Sequence, residues 1–247
     1  MNRYTDYDSF ARIYNKHWGS NFIPLVLPIL EKYLFTRLPA NARILDLCCG
    51  TGQLDRLLTD RGYQVTGIDG SEEMLRFARE NAPAAEFVLA DARSFELPDT
   101  YHAVISTFDS LNHILSLEEL TDAFKNVYNS LRKGGLFLFD MNMAAGFKKD
   151  WHDEFSIVEE DDVCIVRSRY NPDEKVALFM ATIFYRNDGW QRSDLTLKQR
   201  CYSEDEVLPA LGKAGFTETN SYACDVLSGL IELTDDAERA FFICIKS

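Results

Sequence analysis

This chain of 247 residues lacks the features that mark several common classes of protein. It has no apolar run of transmembrane length, and residues 1–9 are polar where a secretory signal needs an apolar core. Its six cysteines include no Cys-x-x-Cys pair and no Cys/His spacing typical of zinc. Basic residues are scarce, with 26 Lys and Arg against 39 Asp and Glu. We therefore expect a cytoplasmic α/β protein with reduced cysteines and no bound metal. The net charge of −13 argues against nucleic-acid and membrane-surface binding.

The chain does contain a glycine turn between a predicted strand and a predicted helix. An apolar run over 43–47 precedes Gly50 and Gly52, and a leucine pattern of helical spacing begins at Leu54. Glycines let backbone approach a ligand, and the following helix directs free N–H groups at it. Asp46 places a carboxylate beside the same crevice. On these residues alone, ligand binding is favoured over a purely structural turn.

Two more predicted strands end in acidic residues. The strand over 64–68 leads into Asp69, about 20 residues after the glycine turn, where a ribose hydroxyl pair is held in nucleotide-binding folds. The strand over 86–90 leads into Asp91. A dinucleotide fingerprint would need Gly or Ala at position 55, but Asp55 stands there and its charge would oppose a pyrophosphate. A nicotinamide-dependent oxidoreductase is therefore the less favoured alternative.

The segment Asp46-x-Cys48-Cys49-Gly50-x-Gly52 resembles the first motif of the class I S-adenosylmethionine-dependent methyltransferases, with Cys48 at the first glycine position. The resemblance covers about residues 42–140. It implies a Rossmann-like α/β fold with a seven-stranded sheet and helices on both faces. It also implies S-adenosylmethionine as cofactor and methyl transfer to nitrogen or oxygen of a small molecule. A non-enzymatic module that binds the cofactor and regulates a partner is the other alternative.

The resemblance assigns cofactor contacts to individual residues. Asp69 would hold the ribose, Asp91 would accept a hydrogen bond from the exocyclic amine of adenine, and the Cys48 backbone would line the methionine end. Tyr14 would reach the methionine carboxylate, or belong only to an aromatic stripe that packs a helix; Met74 would pack on adenine or only in the core. The expected cofactor-binding set is Tyr14, Asp46, Cys48, Gly50, Gly52, Asp69, Gly70, Met74, Asp91, Ala92 and Phe108.

The loop after the fourth strand, residues 108–113, should face the reactive methyl group. A sulfonium already has a good leaving group, so a catalytic residue is needed only where the acceptor must lose a proton. His113 is the candidate base, and sugar-amine N,N-dimethylating methyltransferases show a similar Phe-x-Ser-x-x-His run. The alternative is that His113 is only a polar loop residue. Asp109 would steer a cationic amine or cap the turn.

Three segments organise the chain. Residues 1–140 form N-terminal helices, including one over 21–38, and the cofactor-binding half, whose helix from 117 should end at Lys133-Gly134-Gly135. Residues 141–202 alternate polar and apolar positions between turn sequences, which predicts an inserted antiparallel lid. Residues 203–247 form a closing helix and two strands around a loop over 227–238. The lid would cover the acceptor, with Arg167, Arg169, Tyr185 and Arg200 as candidate contacts, or join two copies in a homodimer.

Overall fold

The computed structural model describes residues 5–225 and 229–247, except for the side chains of residues 5, 6 and 225. Strand-forming runs rich in β-branched, aromatic and leucine residues alternate with amphipathic helices in its first half, the pattern of a parallel sheet. The strands are β1 (Arg43–Leu47), β2 (Gln64–Asp69), β3 (Glu86–Leu89), β4 (Tyr101–Ser106), β5 (Leu131–Asn142), β6 (Glu154–Val158), β7 (Asp162–Asn171), β8 (Val176–Arg186), β9 (Trp190–Arg200), β10 (Glu218–Asp225), β11 (Gly229–Glu232) and β12 (Arg239–Ile245).

The central sheet has eight strands in the order β11-β10-β12-β5-β4-β1-β2-β3. Strands β1 to β5 are parallel, whereas β12, β10 and β11 are joined in antiparallel register. The predicted Rossmann-like fold is confirmed, with one strand more than expected. That strand, β11, lies inside the segment predicted as a loop over 227–238, because Leu230 is buried and residues 229–232 pair with β10.

Eight α-helices are present in the described ranges. Their bounds are α1 (Thr5–Asp8), α2 (Ala11–His17), α3 (Ile23–Tyr33), α4 (Gln53–Asp60), α5 (Glu72–Asn81), α6 (Leu117–Ser130), α7 (Ala144–Asp150) and α8 (Glu204–Ala214). The expected helix over 21–38 is shorter: α3 includes Pro28 and is followed by a 3₁₀ turn over 35–37. No helix of the described chain is long and apolar enough to cross a bilayer.

Helix α6 ends before the predicted Lys133-Gly134-Gly135 stop. Leu131 has an extended backbone (ψ 139°) and pairs with Tyr101 of β4, so the chain enters β5 directly after Ser130. Pairing with the neighbouring strand overrides the glycine stop signal. Gly134 instead takes a positive φ of 75° in an extended segment, and its N–H donates to the Lys246 carbonyl at 2.7 Å.

The predicted inserted sheet is confirmed: strands β6 to β9 form a separate four-stranded antiparallel sheet. One face buries alternate residues, including Cys164 and Val166 of β7, against Phe10 and Ile13 and against Met74 of α5. Burying an apolar side chain of this size contributes roughly 1.5–3 kcal/mol. Helix α2 is thereby held between the inserted sheet and α5, over the carboxyl ends of the parallel strands.

Candidate active site

A cavity of about 550 Å³ lies where the carboxyl ends of the parallel strands meet α1, α2 and β9, a volume typical of small-molecule sites. Nine of the eleven residues assigned to the cofactor line it. They are Tyr14, Cys48, Gly50, Asp69, Gly70, Met74, Asp91, Ala92 and Phe108. The structure thus brings together residues that lie up to 94 positions apart in the sequence. Asp46 and Gly52 lie outside this lining.

The glycine turn has the geometry of a ligand cradle. Gly50 has a φ of 57°, and a Cβ placed on it would lie 3.4 Å from Cε1 of Tyr14. Cys48, at the family's first glycine position, takes a left-handed φ of 64°, a conformation that is strained for a residue with a Cβ. Gly52 serves packing, because a Cβ there would lie 2.8 Å from Cα of Ala78. Its role is the close approach of α4 and α5.

Two carboxyl groups lie beneath this turn. Asp46 and Asp55 are both buried, and burial, with the neighbouring carboxyl groups, raises the pKa of Asp46. Burial raises the pKa of Asp55 to about 8, so that carboxyl is mostly protonated at pH 7. Asp55 does not line the cavity. Protonated and outside the lining, Asp55 would repel a pyrophosphate less strongly than the sequence suggests.

Asp69 is fixed at the end of β2 by main-chain donors. The Gly50 N–H donates to Oδ2 at 3.0 Å, and the Ser71 N–H donates to Oδ1 at 2.9 Å. Burial raises the pKa of Asp69 to about 6, against the opposing effect of these two hydrogen bonds. Ionised at pH 7, this carboxylate has the position and remaining acceptor capacity to bind a pair of ribose hydroxyls.

Helix α2 is fastened to the glycine turn by side-chain amides. Oδ1 of Asn15 accepts hydrogen bonds from Nε2 of Gln53 at 2.8 Å and from Nδ2 of Asn81 at 2.7 Å. Asn81 also donates to the Thr51 carbonyl at 2.7 Å. These contacts hold the neighbouring Tyr14 over the turn, where its hydroxyl stays protonated because burial raises its pKa. Tyr14 is thus part of the cavity as well as of the aromatic stripe.

Met74 and Asp91 occupy the far end of the cavity with Ala92. Met74 is 1% exposed and contacts the core cluster under the inserted sheet, so both of its predicted roles are compatible with its position. Sequence reasoning missed Arg93, which pairs with Asp91 and also lines the cavity. A charged residue four positions after a strand end gives no signal of its own.

His113 is held in one tautomer by its neighbours. Its Nδ1 lies 2.9 Å from the Lys198 carbonyl, which can only accept, so Nδ1 carries the proton. Nε2 therefore has the lone pair, and accepts from the Tyr7 hydroxyl at 2.8 Å and from Nε2 of Gln199 at 3.1 Å. Burial lowers the pKa of His113, against the attraction of Asp109. His113 is thus a neutral imidazole at the cavity wall, and its Nε2 lone pair is engaged by the Tyr7 hydroxyl and the Gln199 amide.

The loop that carries His113 is strained and buttressed. Phe108 and Asp109 both have positive φ values, 63° and 51°, which non-glycine residues adopt rarely. Their N–H groups donate to the Asp140 carboxylate at 2.7 and 3.0 Å. Arg239 donates to Asp140 and, at 2.8 Å, to Asp109. With both oxygens of Asp109 engaged by Arg239 and Gln199, its structural role is favoured over the steering of an amine.

The inserted sheet reaches the cavity through β8 and β9. Its contribution is Phe179, Thr196, Leu197, Lys198 and Gln199. The four candidate acceptor contacts do not line the cavity. Arg200, for example, pairs with Glu206 at 3.0 Å and lies over the ring of Tyr202. Alternation predicted the strands but could not show which face meets the parallel strand ends.

Comparisons with known proteins agree with this geometry. Residues 44–135 match a family model described as a methyltransferase domain. The methyltransferase-family protein GWCH70_2453 of Geobacillus sp. strain WCH70 is 30% identical over 254 residues, covering 97% of this chain and 99% of that protein.

Two solved structures share the fold. The first is an S-adenosylmethionine-dependent methyltransferase from Clostridium acetobutylicum, with a TM-score of 0.80 at 22% identity over 98% of this chain and 99% of that one. The second is the sugar N-methyltransferase KedS8 from Streptoalloteichus, with a TM-score of 0.77 at 20% identity over 95% and 92%. These structures show the fold, and the full-length relative together with the family model shows the family: the chain belongs to the methyltransferases.

Proposed function

We propose that this protein transfers a methyl group from S-adenosylmethionine to the nitrogen of a small-molecule amine. The observation that carries the proposal is the neutral His113 base at the cavity wall, whose Nε2 lone pair accepts from the hydroxyl of Tyr7, another residue of the lining. An amine reaches the site protonated at pH 7 and must lose a proton before it can attack. The sugar N-methyltransferase KedS8, with the same fold, supports an amine acceptor.

The residues of the cavity fit the cofactor. Asp69 would hold the ribose hydroxyls, Asp91 and Ala92 the adenine, and Tyr14, Gly50 and the Cys48 backbone the methionine end. Asp46 and Gly52 would shape the turn from beneath. When bound, the cofactor supplies an electrophilic methyl group on a sulfonium with a good leaving group.

The remaining residues position the acceptor and take its proton. Nε2 of His113 accepts the proton of the amine, while the Lys198 carbonyl keeps the ring in the required orientation. The Tyr7 hydroxyl, which burial keeps protonated, donates to that nitrogen in the free protein, and the N–H of the amine would take its place. Phe10, Trp18 and Phe179 give this end of the cavity apolar walls that exclude water.

We propose that residues 1–140 and 203–247 form the cofactor-binding body and that residues 141–202 act as the lid over the acceptor. We further propose that the protein works in the cytoplasm, where its cysteines stay reduced, without nucleic-acid partners.

The lid sheet also has an exposed apolar face, including Val158 (71% exposed) and Ile165 (38%), which supports a homodimer formed through it. Light scattering of a Val158→Asp variant tests that association.

The activity is tested with labelled S-adenosylmethionine and a matched panel of small amines and their hydroxy analogues. We expect label transfer to amines, with little to the hydroxy analogues, and products identified by mass spectrometry. Transfer to the hydroxy compounds instead would contradict nitrogen as the acceptor atom. Tight cofactor binding without transfer to either set would favour a regulatory module.

A further inference from the structure

One arginine at the adenine end of the cavity has no part in the cofactor contacts described so far. Nε of Arg93 lies 2.9 Å from Oδ1 and 3.1 Å from Oδ2 of Asp91, and Nη2 lies 2.5 Å from Oδ2. The Arg93 backbone N–H also donates to Oδ1, at 2.9 Å. The Asp91 carboxylate thus accepts hydrogen bonds from both the guanidinium and the main-chain N–H of Arg93.

Arg93 is itself anchored on its other side. Nη1 donates to Oε1 of Glu119 at 2.7 Å, and Glu119 lies in the first turn of α6, where its N–H donates to Oγ of Ser116 at 3.1 Å. Arg93 therefore ties the loop after β3 to the start of α6. The side chains of Arg93, Asp91 and Glu119 are only 16%, 24% and 32% exposed, and all three residues line the cavity.

We propose that Arg93 is a positioning residue that gives the site its purine specificity, by holding the Asp91 carboxylate in one orientation toward the ring. The proposal rests on the proposed function, in which Asp91 accepts a hydrogen bond from the exocyclic amine of adenine. Hypoxanthine has a carbonyl oxygen at that position and would set an acceptor against an acceptor. A carboxylate free to rotate would avoid this repulsion, whereas one fixed by Arg93 cannot.

The test compares the affinities of S-adenosylhomocysteine and S-inosylhomocysteine by calorimetry. We expect the wild type to prefer the adenosyl compound by at least about tenfold, and Asp91→Ala to lose most of that preference. Arg93→Gln should lower the preference about fivefold, mainly by improving the binding of the inosyl compound relative to the adenosyl one. Arg93→Lys keeps the charge but not the guanidinium fork, so its preference for the adenosyl compound should lie between those of the wild type and Arg93→Gln.

Arg79→Gln is the matched control, because Arg79 pairs with Glu72 at 2.8 Å on the exposed side of α5. It should leave the preference unchanged. If Arg93→Gln weakens both ligands equally while Asp91→Ala removes the preference, Arg93 is only structural and the proposal is overturned. If Asp91→Ala keeps the wild-type preference, the adenine assignment of the proposed function fails and the role of Arg93 fails with it. Should Arg93→Gln not fold, as judged by thermal unfolding, Arg93→Lys decides by the same ratio.

Discussion

The cofactor half and the acceptor half of the cavity are built in different ways. In the cofactor half, the functional groups stand directly after parallel strands: Cys48 and Gly50 follow β1, Asp69 ends β2, and Asp91 follows β3. Each group is held from its own loop or the adjacent one: main-chain N–H groups of Gly50 and Ser71 hold Asp69, and the N–H and guanidinium of Arg93 hold Asp91.

The acceptor half instead depends on side chains from remote segments. Tyr7 of α1, His113, Gln199 of β9 and Asp109 form a continuous hydrogen-bonded series that reaches Arg239. No two consecutive members of this series lie within four positions of each other in the sequence. The comparison teaches that the residues we assign to the cofactor come from local motifs at strand ends, whereas those we assign to the acceptor are brought together only by the tertiary fold.

The largest expected effect is on the anchor of the acceptor half. Arg239→Leu leaves the carboxylates of Asp140 and Asp109 buried without their cation, which should cost about 3–5 kcal/mol of unfolding free energy. Denaturant unfolding measures it. Arg192→Leu, which breaks an exposed pair with Asp194, is the control and should change the free energy of unfolding far less. Equal losses of unfolding free energy in the two variants would mean that the buried network stabilises the fold no more than an exposed ion pair does.

His113→Ala tests the chemistry of the acceptor half without touching the cofactor half. Loss of a general base should lower kcat about a hundredfold and remove the dependence of the rate on a group that titrates below pH 6.5. Binding of S-adenosylmethionine, measured by calorimetry, should stay within about twofold. A variant with the wild-type pH profile of kcat would take His113 out of the mechanism.

Asp69→Ala is the converse experiment on the cofactor half. Two hydrogen bonds to a charged acceptor are lost, so the affinity for S-adenosylmethionine should fall about a hundredfold. Saturating cofactor should restore much of kcat, since the base and its neighbours are unchanged. Unaltered affinity would refute the ribose assignment, and an unrecoverable kcat would show that the two halves are not separable.

The same contrast explains what the sequence could predict. Asp69, Gly50 and Asp91 were predictable because parallel strands end at one edge of a sheet, so residues after successive strands meet whatever the side-chain packing. Gln199 and Arg239 were not predictable, because nothing in their own segments distinguishes them from other polar residues of a strand. The role of Tyr7 was not predictable either, since its contact with His113 spans 106 positions.

Local signals failed where tertiary pairing competes with them. The glycines at 134 and 135 suggested a helix end, but Leu131 already pairs with Tyr101 and the helix stops at Ser130. The segment after β10 suggested a loop, yet residues 229–232 pair with β10 and form β11. In both places, hydrogen bonds to a neighbouring strand outweigh the propensity of a few residues.

The smallest expected effect concerns acid, and it sharpens the separation of the two halves. Since the pKa of Asp69 is raised to about 6, protonation below that pH removes an acceptor from the ribose position. Affinity for S-adenosylmethionine should be constant above about pH 7 and fall about tenfold per unit below pH 6.

The free energy of unfolding of the free protein should change in the opposite direction and rise as the pH falls. The folded state holds this proton more tightly than the unfolded chain, so acidification from pH 7 toward 4 relieves the cost of the buried charge. Asp69→Asn carries no titrating group there, and subtracting its pH profiles of affinity and of unfolding free energy from those of the wild type isolates both trends. If Asp69→Asn keeps the wild-type pH profiles, the response comes from another group, with Asp140, whose pKa is also raised to about 6, as the first to examine.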